Sequence, residues 1–164
     1  MKTLSAIVLA TALLIGGAAF LPGVPGGQDG HAVGVRDDKE ILSEVAKNPS
    51  AAAEAEEMNS SADNIVGVYG AMTGGDVFEV RVTKLPDGGY EGRICWVRGK
   101  ESDNTLLFSG MRYDPKKKCW SGAKVYDPHR GVRAPAKCVF IDKKNLTVGG
   151  SFMGIKAQDV WTKQ

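Results

Sequence analysis

Histidine is nearly absent from this chain: His31 and His129 are all that its 164 residues contain. Two histidines so far apart build neither a metal site nor a nucleophile–histidine–carboxylate triad between them. Cysteine is scarce as well. Cys95, Cys119 and Cys138 are an odd number, so a framework in which every thiol pairs within the chain is excluded. Charge is missing altogether between Lys2 and Asp29, and from Asp63 onward no stretch carries a helical hydrophobic period.

The first of these gaps in charge has an address in it. The chain opens MKTLSAIVLATALLIGGAAFLPG, with Lys2 as a short positive region before an apolar run. Small residues then mark cleavage points after Ala19 or after Ala32, the pattern of a secretory signal peptide in residues 1–32. The competing reading is a retained anchor, since Leu4 to Leu21 is near the lower limit of about 17 residues for a membrane span. The expectation is export to the periplasm or the medium, with a membrane as partner only where that segment is uncleaved.

A net charge of +2 conceals an asymmetry. Residues 33–62 hold three basic against seven acidic residues, net −4, whereas residues 63–164 hold seventeen against eleven, net +6. Ile41, Leu42 and Val45 fall on one face of a short helix that Asp37 and Asp38 begin and Asn48-Pro49 ends. The segment SAAAEAEEM has helical propensity but almost no apolar face. Because exposed charges pair weakly, this acidic, partly helical arm is expected to be a solvated tether rather than a docked element.

From residue 63 the period changes to two. Eight apolar runs, at 65–70, 76–83, 90–97, 105–111, 119–126, 132–141, 146–153 and 157–163, are separated by turn residues such as LPDGG and YDPKK. In the segment CWSGAKVYDPHRG, Asp127-Pro128-His129-Arg130 forms a turn that Gly131 closes in the left-handed conformation. Eight short strands with tight turns predict an all-β domain over 63–164, an antiparallel sandwich or an up-and-down barrel. A closed barrel leaves no edge strand to protect.

Four stretches carry a resemblance: DNIVGVYG, DGGYEGRICWV, WSGAKVYDPHRG and LTVGGSFMGIKAQDVWTK. They resemble the bacterial exported family called domain of unknown function 2147, across residues 63–164. The resemblance implies a lipocalin-like, eight-stranded up-and-down barrel. Its structural motif positions would be Gly67, Tyr69, Trp120, Gly122, Lys124, Tyr126, Asp127, Pro128, Gly131 and Trp161. Tyr69 stands where the family has Trp, Ala123 where it has Gly, and the segment 99–110 is shorter than its counterpart. A contact between the first strand and a basic residue such as Lys163 belongs to the same pattern.

The candidate chemistry is that of binding. Phe78, Tyr90, Ile94, Trp96, Phe140 and Phe152 are placed by alternation on the inward face and are the candidate ligand-binding residues. Trp96 is the expected fluorescent reporter. A barrel of this size is either filled by such side chains or leaves room for one small molecule. Small inward residues (Ala123, Ala134, Ala136, Gly150) argue for space and the aromatics against it. Asp127 and His129 read as turn chemistry rather than as an acid–base pair, and Lys116–Lys118 as a solvated turn. No enzyme activity, metal or cofactor is expected, and an exported domain rarely meets nucleic acid.

Two functions follow: a carrier of a small, partly apolar ligand, or a filled barrel acting through its surface as an inhibitor or envelope interaction module. Alternation places Cys119 and Cys138 inward as diagonal neighbours at the limit of disulfide reach. A bridge between them and three free thiols both stay open.

Overall fold

A computed structural model describes residues 36–152 and 155–164, without the side chains of residues 152 and 155. The expected signal segment, 1–32, lies outside the described residues. The described chain runs through helices α1 (Asp38–Lys47) and α2 (Ala51–Met58) and a 3-10 turn at Ala62–Ile65. The strands are β1 (Gly67–Thr73), β2 (Asp76–Lys84), β3 (Tyr90–Val97), β4 (Lys100–Glu101) and β5 (Leu106–Asp114). They continue as β6 (Cys119–Ser121), β7 (Lys124–Asp127), β8 (Val132–Phe140), β9 (Asn145–Phe152) and β10 (Ile155–Lys163).

These strands form a closed, antiparallel barrel of eight staves. Each stave pairs with its neighbours in the chain, and β1 meets β10 through Tyr69↔Lys163 and Gly70↔Thr162 to close the ring. The count of eight holds because β6 and β7 are one stave interrupted at Gly122, whose φ of +92° suits glycine alone. β4 is a two-residue flank on β3. The first strand begins two residues later than the alternation predicts, because Ala62–Ile65 coils into the 3-10 turn before β1.

The turn after β7 is built as its residues dictate. The Asp127 carboxylate accepts from the backbone of His129 and Arg130 at 2.9 and 3.1 Å, and Gly131 turns left-handed at φ +67°. This sets Asp127 opposite Val132, and the register then slips by one residue across Gly122. Trp120 therefore faces Cys138, where an unbroken register from Asp127 opposite Val132 would have put Ser121. The bridge considered between Cys119 and Cys138 is not formed: all three cysteines are buried free thiols.

The arm departs from the tether expected of it. α1 is capped by the Asp37 side chain, which accepts from the Lys39 amide at 2.8 Å, and it rests on β10 with Ile41 only 1% exposed. α2 rests on β8. Asn59, at its end, donates to the Phe140 carbonyl and accepts from the Phe140 amide, both at 2.8 Å. The Tyr113 hydroxyl donates to the Asn59 carbonyl at 2.7 Å, and the Trp120 indole to the Ala62 carbonyl at 2.8 Å. Burial of Ile41 and Ala51 and paired buried amides hold the arm down, with one exposed ion pair, Glu56 with Lys118, adding little.

Candidate ligand cavity

The two ends of the barrel differ. Strand connections alternate between them, so the 3-10 turn, the β2–β3 turn and the β8–β9 turn share one end. That end is filled. Tyr69, Trp120, Phe140, Leu146 and Ile65 are all buried to 1% exposure or less. The rings of Trp120 and Phe140 meet edge to face at 5.7 Å. Tyr69 donates to the Ile65 carbonyl at 2.7 Å, and burial raises its phenol well above the usual range. Tyr90 donates to Asp63 at 2.6 Å. Burial first, and that carboxylate second, push it up to about 12.

The other half of the barrel holds a cavity of about 160 Å³. Phe78, Val80, Ile94 and Trp161 form its inner apolar wall, and Ala134, Ala136 and Gly150 line one side. The small size of these three leaves the space open, and at Gly150 the close approach of the Pro135 carbonyl, 2.7 Å from where a Cβ would stand, keeps the position glycine. The rim is polar. Thr73, Asp127, Arg130 and Asp159 belong to it. Arg130 is engaged by Asp127 at 2.7 Å, and Thr73 donates to Asp159 at 3.3 Å. The β1–β2 and β7–β8 turns meet over this rim: a Cβ on Gly74 would be 2.6 Å from the imidazole of His129.

Desolvation raises the Asp159 carboxyl above its ordinary value, with nearby Asp127 adding to the shift. Asp38, at the start of α1, lies near the same strand and accepts from the Val160 amide. Its Oδ1 is buried without a hydrogen-bond partner. Burial raises its carboxyl to about 6, and Asp159 pushes the same way.

Of the six candidate ligand-binding residues, the structure brings Phe78 and Ile94 to the cavity. Tyr90 and Phe140 stand in the filled end, and the side chain of Phe152 lies outside the described residues. Trp96 is off the cavity wall because β3 bulges: Val80 pairs Ile94 but Glu79 pairs Trp96, so the alternation skips a residue at Cys95. The Cys95 thiol donates to the Glu79 carbonyl at 3.3 Å. Trp161, Thr73 and Asp159 also line the cavity, and period two along β10, which aligns 157, 159 and 161 on one face, is the signal that points to two of them.

The motif positions divide between the two halves. Gly67, Tyr69 and Trp120 serve the filled end, and Trp161 bounds the cavity. Tyr126 lies under the Arg133 guanidinium at 5.2 Å, and Lys124 pairs with Pro135 on the exposed stave. Asp127, Pro128 and Gly131 shape the rim turn. Among the described residues no three His, Cys, Asp or Glu side chains gather as a metal site. The chain matches no protein-family model, no curated protein and no solved structure.

Proposed function

We propose that this is an exported, lipocalin-like barrel that binds one small, largely apolar molecule in its open half, without catalysing a reaction on it. The observation that carries the reading is the cavity of about 160 Å³, bounded by apolar side chains on the inside and by polar ones at the rim. A space close to 150 Å³ is enough to hold a benzene-sized body. The packed opposite end makes the barrel a cup rather than a channel, so a ligand enters and leaves by one route. Kinship with the domain of unknown function 2147 family, and export by a cleaved leader, are parts of the same proposal and rest on the sequence motifs.

Titration with an environment-sensitive apolar probe tests the reading. A single saturable site that quenches tryptophan emission supports it, because Trp161 bounds the cavity. Absence of any saturable binding would turn attention to the outer surface, as expected of an interaction module.

A further inference from the structure

The rim of the cavity selects among apolar ligands, and this inference rests on the binding reading above. Three charged residues line the space: Asp127, Arg130 and Asp159, net −1 in a chain whose barrel portion is net +6. Arg130 is partly committed, and its charge also reaches Asp159. Its guanidinium pairs with the Asp127 carboxylate at 2.7 Å, and Asp127 in turn accepts two backbone amides of its own turn. Among the described residues Asp159 has only the Thr73 hydroxyl, at 3.3 Å, as a hydrogen-bond partner and no ion pair.

We propose that the cavity takes a compact apolar cation, a primary amine on a body about the size of one aromatic ring, with Asp159 as the residue that binds the ammonium. The cavity walls set the size of the body, since about 160 Å³ accommodates one ring and little more. Asp159 stands on β10 beside Trp161, two residues along the same inward face, so a ring against Trp161 puts a short chain's end at the carboxylate. An ammonium there gains a charge-assisted hydrogen bond in a partly desolvated place, where such bonds are strongest. A carboxylate ligand would meet two carboxylates, Asp127 and Asp159, against one guanidinium that Asp127 already pairs. The Asp159 carboxylate thus discriminates by sign.

The test compares three near-isosteric probes, 2-phenylethylamine, 2-phenylethanol and phenylacetate, by calorimetric titration of the whole chain at about pH 8, where the amine is charged and carboxylates are ionised. The amine should bind about tenfold or more tighter than the alcohol, and the alcohol tighter than phenylacetate. Asp159→Asn should bring the amine down to the alcohol's affinity and leave the alcohol unchanged. Added salt on the wild-type protein should weaken the amine and spare the alcohol, a readout that needs no variant. Phenylacetate binding as tightly as the amine, or an amine preference that survives Asp159→Asn, would overturn the assignment while alcohol binding left the cavity reading standing. Failure of all three probes, the neutral alcohol included, overturns both.

Discussion

Lys163, the penultimate residue, holds its ammonium 5.9 Å from the ring centroid of Tyr69 and donates at 2.7 Å to the carbonyl of Asn64. One side chain therefore ties the last strand to the first strand and to the 3-10 turn that plugs the barrel. Its Cε would lie 2.8 Å from a Cβ on Gly67, so glycine at 67 makes the approach feasible. Burial lowers the Lys163 pKa from its ordinary value, a cost that the carbonyl and the two rings beneath it offset. Lys163→Met keeps most of the stem and loses the charge. It should cost about 1–2 kcal/mol in thermal melts. Unchanged melting would mean that the aromatic packing alone closes this end.

Asp38 makes the docking of α1 depend on pH. Its folded pKa, about 6, lies above the unfolded value of 3.8, so the folded state holds the extra proton between those values. The stabilisation it lends is full below about pH 3.8 and is lost as pH rises through about 6. Because Asp38 is only partly buried, the effect should be on the order of 1 kcal/mol. Asp38→Asn should flatten the stability profile between about pH 4 and 7. A profile as steep in the variant as in the wild type would assign the dependence to another carboxyl.

Asn59 is the strongest polar tie between arm and barrel, since it satisfies both backbone groups of Phe140 while 6% exposed. Asn59→Leu leaves those groups buried and unpaired. The loss should be about 2–3 kcal/mol, read by denaturant unfolding. A loss below about 0.5 kcal/mol, the usual range of a surface change, would make the arm the tether that its composition alone implies.

Much of this was legible in the sequence. Period two, the turn residues and the glycine at 131 gave eight staves and the register opposite Asp127, because those signals are local. Two of the slips of register, those that orient Trp96 and Cys119, were not legible. A bulge at Cys95 and a break at Gly122 each reverse the alternation within one stave, so Trp96 and Cys119 could not be oriented by counting from a neighbour. The arm misled for a different reason. Its fixing groups, Ile41 and Asn59, are single residues in an acidic segment, and their partners on β10 and β8 lie far away in the chain.

The same slips decide which indole reports on the cavity. Trp161→Phe should abolish probe-induced quenching with binding retained, and Trp96→Leu should leave the quenching intact. Steady-state emission during titration separates the two. Quenching that disappears with Trp96 instead would place the probe outside the cavity.

The central claim, that the open half of the barrel is a binding space, is tested most directly by filling it. Ala136 lies on the cavity wall, and Ala136→Phe puts a ring into the space where a ligand would sit. Calorimetric titration with 2-phenylethanol, alongside thermal melts of both proteins, reads occupancy and strain together. One saturable site is expected in the wild type, none in Ala136→Phe, and a stability change within about 1 kcal/mol, because the ring enters vacant volume. No binding to the wild type, with Ala136→Phe destabilised by about 1–3 kcal/mol of overpacking, would contradict the claim and describe a filled barrel.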